Sequence, residues 1–99
     1  MSDAPLFTDF YGTVSRGTLN TVHLLRAFGR HLAACADNPA DKAIAGQALA
    51  AAAIELEDLE LLNDIVAVLH TYARHGYYFG AHPGDSSDFG FWPLEGDVA

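Results

Sequence analysis

"YYFGAHPGDSSDFGFWP", residues 77–93, places six aromatics, three glycines, a histidine and two aspartates in seventeen positions. Counting outward from Asp85, Gly80 mirrors Gly90, Phe79 mirrors Phe91, Ala81 mirrors Phe89 and Tyr78 mirrors Trp92. That symmetry predicts an antiparallel β-hairpin with strands at about 77–82 and 88–92 and aromatic pairs facing across them. Facing glycines leave a gap in which a neighbouring ring or backbone lies close. Pro83 and Gly84 are turn residues, Asp85 and Ser86 can satisfy loop amides, and Pro93 ends the second strand. The same symmetry sets His82 opposite Asp88, as a cross-strand ion pair.

Just before the hairpin, "HG" at 75–76 supplies a glycine stop for a helix. At about 100° per residue from Glu57, the apolar side chains from Leu59 to Tyr72 cover roughly 20–200°, with Glu60 and Asp64 outside that arc. Asp58 and Glu55, however, land inside the arc. One continuous helix would bury two carboxylates, which is costly without partners. A break at about 56–58, with Asp58 capping a new helix over 59–75, removes the conflict. The preceding stretch, "AIAGQALAAAAIEL", has strong helix propensity and small side chains, so a helix over about 40–56 needs close neighbours.

"DNP" at 37–39 ends an earlier helix of about 19–36, for which Thr18, Asn20 and Thr21 are all candidate caps. There Leu24, Leu25, Phe28, Leu32 and Cys35 share one face, with His23, Arg26 and Arg30 opposite as a solvated face. A short extended piece is expected around Phe10–Val14. The expected fold class is α+β, three helices followed by a C-terminal antiparallel hairpin, as a single domain over 1–99.

The segment "GYYFGAHPGDSSDFGFW" resembles one found in short, acidic accessory proteins of phages, plasmids and integrative elements. The match covers about seventeen residues, and the rest of the chain is similar only as helices rich in Ala, Leu and acids. The resemblance implies a mobile-element setting, one that includes many anti-CRISPR and anti-restriction factors. It implies no catalytic mechanism.

Charge is the strongest global clue. The net charge is −8, from 13 acidic against 5 basic side chains, and it is unevenly placed. Residues 37–64 hold Asp37, Asp41, Glu55, Glu57, Asp58, Glu60 and Asp64 against Lys42 alone. Such a chain repels phosphates, so direct nucleic-acid binding is not expected; basic protein surfaces attract it. The single cysteine, Cys35, excludes an internal disulfide framework and a CxxC site. No apolar run reaches the ~18 residues of a membrane span, and "MSDAPLFTDF" lacks a signal peptide, so a cytoplasmic protein of a host bacterial cell is expected.

His82, Asp85 and Asp88 fit no specific metal signature, and the five histidines lack HExxH spacing. His70 and His75 are expected on the last turns of the third helix, favoured there by its dipole. GxSxG, P-loop and GxGxxG patterns are absent, so no catalytic residue, metal or cofactor is expected. On a helix, the five carboxylates from Glu55 to Asp64 would span about 13 Å at a ~1.5 Å rise per residue. That density approximates the ~3.4 Å phosphate spacing of a DNA strand, although the break expected at about 56–58 bends the line.

The expected function is a non-enzymatic protein–protein inhibitor, anti-CRISPR-like, that blocks a basic nucleic-acid-binding surface of a host defence complex. Glu55, Glu57, Asp58, Glu60, Asp64, Asp85 and Asp88 would bind the partner, a CRISPR–Cas subunit in its most specific form. The rival readings are a homo-oligomeric structural module, in which the alanine-rich helices and exposed Tyr77, Phe91 and Trp92 pack against a second copy as a homodimer, and an antitoxin or immunity protein.

Overall fold

The computed structural model describes residues 12–94 and is α+β. Strand β1 (Gly12–Arg16) is followed by helices α1 (Thr21–Cys35), α2 (Pro39–Ala53) and α3 (Leu59–Thr71), then strands β2 (Tyr77–His82) and β3 (Asp85–Pro93). The strands form one antiparallel sheet in the order β1-β3-β2.

The register of β2 and β3 follows the residue symmetry: Tyr78 faces Trp92, Phe79 faces Phe91, Gly80 faces Gly90 and Ala81 faces Phe89. Both facing glycines are used for close approach. The Tyr78 ring lies against Gly80, and the backbone of Gly12 and Thr13 lies against Gly90. Two expectations need correction here. The C-terminal hairpin is not a two-stranded unit, because β1 pairs along the far side of β3 and makes β3 central. This third strand includes part of the extended piece expected near residues 10–14; residues 10 and 11 lie outside the described residues. The loop is also shorter than "HPGDSSD", with β3 beginning at Asp85 and a register irregularity between Ala81 and His82.

Each helix starts on a side-chain cap. The Asn20 side chain accepts from the Val22 and His23 amides, Asn38 from Asp41, and Asp58 from Leu61. Pro39 follows Asn38 at the first helical position, where its missing N–H costs nothing. The expected break before Asp58 is present, although α2 stops earlier than residue 56. The amide of Glu55 donates to the Ala52 carbonyl at 3.0 Å and that of Leu56 to Ala51 at 2.9 Å, a Schellman closure. Glu55 occupies the left-handed position of this closure, φ 55°, where glycine is usual.

Helix α3 also stops early, at Thr71, so His75 is not on its last turn. His70 is, and its Nδ1 accepts the Phe79 amide at 3.2 Å, tying the helix end to β2. Gly76, φ 86°, turns the chain into β2 rather than ending the helix. Tyr72 at the end of α3 donates its hydroxyl to Asp41 at 2.6 Å and accepts the Asp37 amide at 3.2 Å. Burial, and then the Asp41 carboxylate, push that phenol well above its usual range. These bonds lock the α1–α2 connection onto the end of α3.

The core lies where helices meet the sheet. Leu25, Phe28 and Leu32 of α1, Ala45 and Ala48 of α2, Ile65 and Leu69 of α3, and Phe79 and Phe91 of the sheet are all buried. The alanines let α2 come close to α1. A Cβ added at Gly29 would lie 3.0 Å from Leu49 Cγ and 3.2 Å from Ala48 Cβ. Phe28 joins the two layers, its ring edge-on to Phe79 at 5.1 Å and to Phe89 at 5.6 Å.

His31 lies on the same helix with its ring 5.4 Å from Phe91, and burial pulls its imidazole below the usual value. The unfolded chain therefore takes up this proton more readily than the folded one. The associated stability is complete above pH ~6.5 and is lost as the pH falls below it. We expect the urea midpoint to drop between pH 7 and 5, and the His31 ring resonances to titrate below ~6.5 by NMR. A His31 midpoint above that value would contradict the burial account.

Candidate functional site

The acidic residues singled out in the sequence separate into three environments. Glu55, Glu57, Glu60 and Asp64 are exposed, and none forms an ion pair among the described residues. Asp58 is half-buried, with one carboxylate oxygen accepting the Leu61 amide at 3.0 Å. At the hairpin tip Asp85 is exposed, accepting from the Ser87 amide at 3.0 Å and the Ser87 hydroxyl at 2.9 Å. Those bonds, the amide first, hold its carboxyl below the usual carboxylate range.

Asp88 must be withdrawn from the partner-binding set. It is only 4% exposed, accepts the Thr13 hydroxyl at 2.7 Å and pairs with the Arg16 guanidinium at 3.4 Å. The cause is β1: its pairing with β3 sets Arg16 opposite Asp88 and covers the carboxylate. The expected His82–Asp88 pair is replaced as well. His82 faces Asp85 across the turn, its Nδ1 accepts the Gly84 amide at 2.8 Å, and its ring stands edge-on to Trp92 at 4.6 Å.

A continuous helical line of five carboxylates is not formed. Glu55 and Glu57, at and just after the Schellman closure, lie beside the start of α1. There, with Asn20, Val22, His23 and Arg26, they line a cleft of about 310 Å³. Arg26 was expected on a solvated face; it is instead half-buried and donates from Nη2 to the Ala52 carbonyl at 3.4 Å. A cation at the last carbonyls of α2 is favourably placed against the helix dipole. Glu60 and Asp64, four residues apart, share one face of α3. Their separation along α3, about 6 Å at a ~1.5 Å rise per residue, is wider than the ~3.4 Å phosphate spacing of a DNA strand.

Sequence periodicity missed the apolar part of this surface. Leu59 falls in the predicted core arc, yet it is 63% exposed, and Ile54 and Leu56 are exposed beside it. The usable signal is the alternation "IELEDLE" at 54–60, which no helix can hide on one face. Phe91 and Trp92, expected to be exposed, are buried, and Tyr77 is half-buried beneath the Arg74 guanidinium at 5.3 Å. Two of the three aromatics invoked for a homodimer, Phe91 and Trp92, are thereby buried within the chain.

Among the described residues, no three His, Cys, Asp or Glu side chains converge to hold a metal. Burial pushes the Cys35 thiol up, away from the reactive thiolate. No helix among the described residues is long and apolar enough to cross a membrane. Compared with known proteins, the chain matches no family model, no curated protein and no solved structure.

Proposed function

We propose that this chain is a non-enzymatic protein–protein inhibitor from a mobile genetic element, anti-CRISPR-like in action. In this reading the bent acidic face of Glu55, Glu57, Glu60 and Asp64, with Asp58 and Asp85 at its margins, occupies a basic nucleic-acid-binding surface of a host defence complex. The supporting observation is the contrast between these side chains and Asp88. Asp88 is buried against its own arginine, whereas the four carboxylates of the face are exposed and without an ion pair among the described residues. Unneutralised charge of one sign steers association with a surface of the other sign and excludes like-charged partners.

The test is capture of a CRISPR surveillance complex on the immobilised full chain across a salt series. Binding should weaken steeply with salt. Glu57→Lys combined with Glu60→Lys should reduce it by about tenfold or more, because each reversal turns an attraction into a repulsion. Both residues are exposed, so the fold should tolerate the change, which circular dichroism checks. Capture that is insensitive to salt and to the double reversal removes the acidic face from the function.

A further inference from the structure

Of the five exposed large hydrophobic side chains among the described residues, Leu19, Ile54, Leu56, Leu59 and Leu94, three are close together in the chain. Ile54 is 71% exposed and Leu56 49% in the connection from α2 to α3, and Leu59, the first residue of α3, is 63% exposed. Leu19, 63% exposed, directly precedes Asn20, which lines the same cleft as Glu55 and Glu57. Connections of this kind are normally polar, and clustered exposed apolar residues rimmed by polar ones mark an interaction surface. In the sequence Glu55, Glu57, Asp58 and Glu60 are interleaved with these apolar positions, and Glu55, Glu57 and Glu60 are exposed.

We infer that this surface is a docking site for a basic amphipathic helix of a partner protein. The partner's apolar stripe seats on Ile54, Leu56 and Leu59, its flanking Lys and Arg meet the acidic rim, and one cation enters the cleft between Glu55 and Glu57. This rests on the proposed acidic-face reading and adds to it that the partner supplies apolar side chains as well as charge. A phosphate-binding channel lined only by Lys and Arg would leave the three apolar side chains wet. A second copy of this chain fits less well, since a two-fold contact through the surface brings glutamates against glutamates. Arg26 also lines the cleft; it donates to the Ala52 carbonyl and forms no ion pair with Glu55 or Glu57 among the described residues.

The inference is tested by titrating the full chain with synthetic peptides. One carries Leu and Lys at helical spacing, a second has the same composition in scrambled order, and a third replaces each Leu by Gln. The ordered peptide should bind at least about tenfold more tightly than either control. Ile54→Ser with Leu56→Ser should lower its affinity by about tenfold or more while leaving the salt dependence in place. Equal binding of ordered and scrambled peptides, or parent-like binding by the serine variant, overturns the inference and leaves the acidic reading standing. A leucine-dependent interaction indifferent to salt and to Glu57→Lys with Glu60→Lys overturns the acidic reading, and with it the cationic part of this inference. Light scattering that shows a dimer dispersed by the serine changes also overturns it, in favour of a second copy.

Discussion

Gly90→Ala should cost roughly 3–5 kcal/mol of stability, enough to leave a small domain largely unfolded or insoluble. The Cβ of an alanine at this position would overlap the Gly12 carbonyl oxygen. It would also lie 2.8 Å from the Gly12 carbonyl carbon and 2.9 Å from the Thr13 Cα. These are backbone atoms of the opposing strand, so no rotamer change relieves the clash. β1 would have to leave β3, taking with it the Thr13 hydroxyl and the Arg16 guanidinium that satisfy Asp88. A carboxylate designed for burial would then lose both partners. Gly80→Ala is the control, because its Cβ meets only side-chain atoms, two Tyr78 ring carbons at 3.2 and 3.4 Å, and no backbone. Urea denaturation of the two variants should give a much larger loss for Gly90. Parity between them would mean that β1 is not held where it is described.

Phe28→Ala should be comparably severe, about 3–5 kcal/mol, the range for removing a large aromatic from a packed core. Its side chain is fully buried, and its edge-on contacts with Phe79 and Phe89 join the helical layer to the sheet. Alanine would open a cavity at the junction and remove two aromatic pairs, each worth about 0.5–1.5 kcal/mol. Phe28→Leu retains much of the volume and should lose clearly less. The measurement is the denaturant midpoint and slope of each variant. A loss below about 1.5 kcal/mol for the alanine would show that the two layers are held together elsewhere.

The acidic surface depends on this scaffold through the start of α1. Glu55 and Glu57 share their cleft with Val22, His23 and Arg26 of that helix and its cap Asn20, and α1 packs closely against α2 at Gly29. Glu55 in a left-handed conformation is a local rule broken at the candidate site. Glycine would fit the backbone with less strain, whereas glutamate carries the charge.

Features that depend on neighbouring residues were legible in the sequence. The β2–β3 register could be read because aromatics and glycines match across a tight turn, and cross-strand pairs near a turn have few alternatives. The break before Asp58 could be read because a continuous helix would have buried two carboxylates. The helix face of Leu24, Leu25, Phe28 and Leu32 could be read because its period is that of the backbone. The boundaries were less legible. α2 and α3 each end earlier than their composition suggests, since both terminate in turn geometry that involves no glycine at the capping position itself.

The sequence by itself determined three helices, a paired hairpin and an acidic segment between residues 37 and 64, because periodicity, capping and net charge are local properties. Only the tertiary structure decided that β1 covers the far edge of β3. Thr13 and Asp88 stand 75 positions apart, and no local pattern records such a contact. That single pairing took Asp88 out of the acidic surface. The chain's path after α2 likewise divided the remaining carboxylates between a cleft and a helix face and left Ile54, Leu56 and Leu59 in solvent. Whether a charge or a leucine is exposed depends on what the rest of the chain brings against it, and only the folded chain supplies that neighbour.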